Sequence, residues 1–214
     1  MEQYNLNFKN ESSFTQDNFL VSECNKSAFD HLIKNDENNV RNFFLYGEKK
    51  SGKSHLASIW LLKNNSIKLN INECENDELI KINNNILIDN IFQNINEEKI
   101  FYLINHCISK NLKILFTSDI KPINYNFLLQ DLSSRIKSFH LIQIYKPDDY
   151  LISNLIIKLL NDKQIKIKNN DVINFLSLRI DRSFDNLYSI INKIDRYSLS
   201  TKREITIPLI KEII

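Results

Sequence analysis

The sequence predicts an α/β fold: a parallel sheet flanked by helices, with a small all-helical unit at the C-terminal end. Three observations carry this. Short, mostly apolar runs at Asn42–Tyr46, Asn85–Asp89, Lys113–Thr117 and His140–Ile144 have the length and continuity of strands covered on both faces. Stretches of helical spacing separate them, as parallel crossovers require. After Pro147 only helical spacing remains.

Taken in order, NFFLY (42–46) is a buried strand running into Gly47. Ser54–Lys63 is a helix, with Leu56, Ile59 and Leu62 at helical spacing. Ser66–Ile71 alternates weakly and fits another strand. NILID (85–89) is a strand ending in an acid. Glu97–Lys110 is helical through Ile100, Leu103, Ile104, Cys107 and Ile108. KILFT (113–117) and HLIQI (140–144) complete four or five strands within an α/β unit over residues 11–145. The helical unit, 146–214, contains Asp148–Leu160, Asp171–Arg179, Ser183–Tyr197 and a last helix, Leu209–Ile214, opened by Pro208. Residues 1–10 precede the α/β unit.

Composition narrows the class. At 214 residues, 43% hydrophobic and 25% charged, the chain is ordinary globular stock, not a disordered polypeptide. Its net charge of +2 argues against bulk nucleic-acid neutralisation. The three cysteines, Cys24, Cys74 and Cys107, lack the spacing of a disulfide framework or a zinc site, so a reducing, cytoplasmic compartment is expected. MEQYNLNFKNESSF has no signal-peptide pattern, and no apolar run nears the ~18 residues of a membrane span. The chain holds two glycines where average usage, ~7%, would give about fifteen. Lysine outnumbers arginine 22 to 6. In a composition this biased, each remaining glycine and arginine has a physical reason to be there.

Both glycines fall in Gly47-Glu48-Lys49-Lys50-Ser51-Gly52-Lys53-Ser54, which is G-x-x-x-x-G-K-[ST], a phosphate-binding P-loop between strand and helix. The glycines let the loop, with Ser51, curl its N–H groups toward phosphate oxygens. The helix N-terminus adds partial positive charge. Lys53 reaches the β- and γ-phosphates, and the Ser54 hydroxyl ligates Mg²⁺. Asp89, at its strand end, fits the acid that holds Mg²⁺ through water. The next residue, Asn90, is an amide and cannot take a proton from an attacking water, so intrinsic turnover is expected to be slow. Lys49 and Lys50 are expected to be solvated loop charges. His31, His106 and His140 lack metal spacing and read as surface or core histidines.

YGEKKSGKSHL (46–56), with His55 following the P-loop serine, resembles the AAA+ module of the DnaA/Hda family. Asp17-Asn18-Phe19-Leu20-Val21 is similar to that family's segment beside the adenine. Thr117-Ser118-Asp119 resembles its sensor 1 strand end, and Asp131-Leu132-Ser133-Ser134-Arg135 its arginine-finger segment. Ile88-Asp89-Asn90-Ile91 and the ending from Ile194 to Ile213 are closest to the Hda branch. The resemblance spans essentially the whole chain. It implies an AAA+ base with a helical lid, ADP or ATP with Mg²⁺ as cofactors, and a nucleotide site including Val21, His55 and Asp119. It also implies that Arg135 acts in trans as an arginine finger. The implied role is that of a regulator, tethered to the DNA polymerase III sliding clamp (beta), that stimulates hydrolysis of DnaA-bound ATP and prevents re-initiation. The alternative is a DnaA-like or helicase-loader ATPase that turns over ATP itself.

The family's lid carries a sensor 2 arginine, and here that register falls on Asp185. Either Arg182 serves from the neighbouring turn or the γ-phosphate is not read. DnaA and the clamp are the expected partners, with a second copy of the chain as a further candidate. No helix-turn-helix unit follows the lid, so no sequence-specific DNA binding is expected. Gln3-Tyr4-Asn5-Leu6-Asn7-Phe8 fits the Q-x-x-L-x-F pattern of clamp ligands, with Gln3 at the pocket rim and Leu6 and Phe8 as apolar anchors. On the residues alone, alternating Tyr4, Leu6 and Phe8 favour a first β-strand; the resemblance, which carries the same kind of N-terminal motif, instead implies a clamp-binding tail over residues 1–10.

Overall fold

Successive side chains on a strand point to opposite faces. In β1 (Asn42–Tyr46) this sends Phe43 and Leu45 one way and Phe44 the other, and all three are buried. That is possible only if helices cover both faces of the sheet. The computed structural model, which describes residues 14–34, 40–165, 167, 171–201 and 204–213, has that arrangement. β1 pairs with β4 (Ile114–Ser118) and β5 (His140–Gln143), while β2 (Ile67–Lys68) and β3 (Ile86–Ile88) complete the sheet. All pairings are parallel, in the order β2-β3-β4-β1-β5.

One face packs against α1 (Glu23–Phe29) and α2 (Lys53–Lys63), through Ala28, Phe29, Leu56, Ala57 and Trp60. The other packs against α3 (Asn76–Leu79), α4 (Glu97–Ser109) and α5 (Gln130–Lys137). α4 presents a stripe of Ile100, Leu103, Ile104 and Cys107, spaced to lie on one side of a helix. Its N-cap, Asn96, accepts from Lys99 N at 3.0 Å.

The C-terminal helices α6 (Asp149–Asp162), α7 (Asp171–Ser177), α8 (Phe184–Thr201) and α9 (Ile207–Ile213) gather a core of their own, including Ile156, Leu176, Leu187, Ile191 and Ile210. Leu151 of α6 and Phe184 of α8 instead insert into the core under α1 and α2, each 2% exposed. Asp148 ties the same region together. One carboxylate oxygen accepts from Leu151 N at 2.8 Å and the other from Cys24 N at 3.3 Å, so it serves the first turns of α6 and α1 together.

The strands lie where the apolar runs predict, but β2 shrinks to two residues because only Ile67 and Lys68 pair with β3. α1 is a finding of the structure: at seven residues it is too short to show periodicity. Its start is fixed by Asn25, whose Oδ1 accepts from Ser22 N and whose Nδ2 donates to Leu20 O, both at 2.9 Å.

Phe184 joins the helical unit to the sheet's core, so Phe184→Ala is expected to cost about 3–5 kcal/mol in urea unfolding. A loss below about 1 kcal/mol would show that the two units are not joined through this ring.

Candidate functional site

The loop between β1 and α2 forms as it does because two positions exclude a side chain. A Cβ on Gly47 would lie 2.8 Å from the Ile144 carbonyl oxygen, just past β5, so only glycine lets the chain cross there. Gly52, at φ +92°, takes the left-handed conformation that turns the loop into α2. Between them Lys50, at φ +63°, is a non-glycine residue in the same region.

Lys53 is the first residue of α2 and only 7% exposed. A buried ammonium needs partners. It donates to the carbonyls of Gly47 at 2.9 Å and Glu48 at 2.8 Å, and pairs with Asp119 Oδ1 at 2.9 Å. Ser51 Oγ is buried with no hydrogen-bond partner among the described residues.

Asp89 follows β3. Its Oδ1 accepts from Thr117 Oγ1 at 2.6 Å and Ser54 Oγ at 3.2 Å, and its Oδ2 from Lys68 Nζ at 3.0 Å. Burial pushes this carboxyl up, but the hydrogen bonds from Thr117, Lys68 and Ser54, with the Lys68 charge, outweigh burial and hold it below its ordinary value. Thr117 Oγ1 also accepts from Asn90 N at 2.8 Å, so β4 reads both residues at the end of β3. Asn90 sits at φ +54°, which asparagine tolerates, and its side-chain amide donates to Gln93 at 3.0 Å.

These groups line a cavity of about 1410 Å³ between the sheet's C-terminal edge and the C-terminal helices, the usual place for a ligand in an open α/β sheet. Its apolar lining comes from Phe14, Phe19, Leu20, Leu151, Leu155 and Phe184. His55 is held there. Its Nε2 donates to Thr15 O at 2.9 Å, and its ring lies 5.2 Å from both Phe14 and Phe19. A glycine-lined loop, a buried lysine, the orphaned Ser51 hydroxyl and an apolar slot suit a nucleotide, with its polyphosphate on the loop and its base against the phenylalanines. Among the described residues no three His, Cys, Asp or Glu side chains converge as a metal cage. Ser54 and Asp89 offer the sparse oxygen set by which Mg²⁺ is held alongside phosphates.

Of the residues singled out from sequence, Ser51, Gly52, Lys53, Ser54, His55, Asp89 and Asp119 line this cavity. Gly47 shapes the loop from outside the lining. Val21 packs against the core under α1, and its neighbours Asn18, Phe19 and Leu20 face the cavity instead. Arg182 lies outside the lining too, its guanidinium 3.0 Å from Asp149. Arg135 is exposed on the last turn of α5, away from the cavity. Gln3, Leu6 and Phe8 lie outside the described residues.

Three contributors carry no local signal. Lys68 and Thr117 are polar residues in strand-like runs, and their role shows only once β2, β3 and β4 are adjacent. Lys50 is exposed, as expected of a loop charge, and it also pairs with Asp185 at 2.8 Å and lies over the Tyr188 ring. The Lys50 hydrogen bond and charge hold Asp185 below the usual carboxylate range.

A family model for the Hda lid domain matches residues 161–214. The chain is 28% identical over 225 residues to the chromosomal replication initiator protein DnaA of Buchnera aphidicola subsp. Baizongia pistaciae, covering 92% of this chain and 49% of that protein. It thus spans about half the length of this relative. Domain III of the Thermotoga maritima replication initiation protein DnaA superposes with a TM-score of 0.75 at 20% identity, covering 95% of this chain and 98% of that one. AMPPCP-bound DnaA from Aquifex aeolicus gives 0.68 at 17% identity, over 88% of this chain and 67% of that one. At these identities the structures establish a shared fold.

Burial lowers the affinity of His55 for a proton; the Thr15 carbonyl opposes this and the nearby Lys158 charge adds to it. A group that the fold keeps neutral contributes stability above its ordinary value of ~6.5, and that contribution is lost as pH falls through the lowered folded value. His55→Gln keeps a donor for Thr15 but does not titrate. Between about pH 8 and about pH 5 the unmutated chain should therefore lose more melting temperature than the variant. Parallel profiles would remove His55 from the acid response.

Proposed function

We propose that the chain is a DnaA/Hda-family AAA+ protein and a cytoplasmic regulator of replication initiation that holds ADP or ATP as a structural ligand and acts on ATP bound to DnaA. The observation that carries this reading is Asn90. The phosphate loop beside it is complete, yet the position next to Asp89 holds an amide that donates to Gln93 and has no carboxylate to polarise water. Asp185, beside the loop, is negative where a phosphate-reading arginine would be positive. Such a site favours retention of nucleotide over turnover. The lid-domain match, the similarity to DnaA and the AMPPCP bound by the Aquifex protein support the nucleotide and the setting.

In this reading Lys53 and the loop N–H groups hold the phosphates, with Asp119 orienting Lys53. Ser54 and Asp89 hold Mg²⁺, which neutralises phosphate charge when bound. Residues 11–145 form the base and 146–214 the lid. Arg135, exposed on α5 and outside its own cavity, reaches the nucleotide of a DnaA neighbour, where its planar fork suits phosphate oxygens. Residues 1–10 supply the clamp tether through Gln3, Leu6 and Phe8, and a second copy of the chain is a further partner.

Two measurements test this. Lys53→Ala removes a charge-assisted contact worth ~1.5–3 kcal/mol and should weaken ADP binding at least about tenfold in titration calorimetry. Unchanged affinity would sink the phosphate-loop assignment. In single-turnover hydrolysis of DnaA-bound ATP, with clamp and DNA present, Arg135→Ala should abolish stimulation, and Arg135→Lys should not restore it. Fingers of this type contribute ~10³–10⁵ in rate. Stimulation at the unmutated rate would end the finger assignment, and rapid hydrolysis by the chain alone would favour an ATPase in its own right.

A further inference from the structure

Residues 14–18 form an exposed strap, folded over one 3₁₀ turn, Gln16–Asn18, and both Phe14 and Asn18 line the cavity. The turn buries no residue and no side chain caps it. Its internal bonds are Asn18 N to Thr15 O at 3.2 Å and Phe19 N to Gln16 O at 3.1 Å. A single turn does not hold itself, because too many dihedrals are fixed for too few bonds. From Phe19 onward the chain is anchored. The Phe19 ring stacks on Phe29 at 5.8 Å, and Asn25 Nδ2 donates to Leu20 O.

Two side chains from elsewhere hold the strap. His55 Nε2 of α2 donates to Thr15 O at 2.9 Å, and Lys158 Nζ of α6 donates to Asn18 O at 2.6 Å. The second bond is charge-assisted and short, which makes it the stronger of the two. Leu151, Leu155 and Lys158 are spaced to share one face of α6. Leu151 is buried in the core under α1 and α2, so the lysine stands on a helix that is itself fixed to the sheet. The strap is thus the weakly held wall of the cavity, and Lys158 fastens it to the C-terminal helices.

We propose that residues 14–18 are a gate beside the nucleobase and that Lys158 latches it from α6, so that nucleotide enters and leaves by breaking the contact between Lys158 and Asn18. This rests on the nucleotide reading above and adds the route of exchange. Lys158 is a positioning residue, holding the strap and not the ligand. The latch is formed in the chain without nucleotide, so entry and exit pass through the same open strap and are slowed by the same factor. A direct contact to the ligand would slow exit alone.

The test is stopped-flow fluorescence with methylanthraniloyl-ADP and Mg²⁺, first association and then displacement by excess ADP, on the full chain, Lys158→Met and Lys158→Arg. In Lys158→Met both rate constants should rise at least about fivefold, the effect of losing one partly exposed charge-assisted hydrogen bond, while Kd stays within about twofold. Lys158→Arg keeps the charge and the donor and should keep both rates near the unmutated values. Faster release with unchanged association overturns the latch, because Lys158 would then be a ligand contact. Unchanged rates overturn it as well. Amide exchange without nucleotide gives a second measurement. Exchange at Asn18 and Phe19 should quicken in Lys158→Met, and equal exchange in the two chains overturns the latch. If the unmutated chain binds no analogue, the nucleotide reading itself falls, and the gate with it.

Discussion

A lysine ammonium taken out of water must be surrounded by acceptors, and at Lys53 that requirement organises the site. Two of its partners are carbonyls of the loop that precedes it, so the loop is wound around its own lysine. The third, Asp119, lies just beyond β4, which ties the loop to the strand next to β1. The winding is possible because the chain passes β5 at a point with no room for a side chain, which is why Gly47 survives in a sequence that has shed nearly every other glycine. Close packing and charge burial here act on the same few residues.

The same logic repeats around the cavity. Lys53 with Asp119, Lys68 with Asp89 and Lys50 with Asp185 each join separate parts of the chain: α2 to the end of β4, β2 to the end of β3, and the loop to α8. The energies differ even so. Only Lys53 is deeply buried, so it alone carries a large penalty if left unpaired. The Lys50–Asp185 pair is exposed on both sides and contributes little beyond orientation.

How much of this a sequence can disclose depends on the range of the interaction. Apolar runs covered on both faces are local, and so is the P-loop, hence the sheet, α2, α4 and Lys53, Ser54 and Asp89 can all be read from short windows, whereas the shorter flanking helices cannot. Asp119 and Thr117 need knowledge that β4 lies beside both β1 and β3. Lys68 and Lys50 have no legible partner, because their acids are distant in sequence and the pairing is created by strand order and by α8. Val21 depends on local backbone direction instead. Its segment does reach the cavity, but the short helix after it turns Val21 toward the core and leaves Asn18, Phe19 and Leu20 facing in.

α6 takes part in two cores at once. Leu151 belongs with the sheet, Ile152, Ile156 and Leu160 belong with the other C-terminal helices, and Leu155 touches both. Phe184 repeats the anchoring at the start of α8. A swing of these helices about the segment at Pro147 would pull both anchors from a close-packed interior, which interiors resist. The two anchors therefore oppose any hinge motion of the C-terminal helices against the sheet.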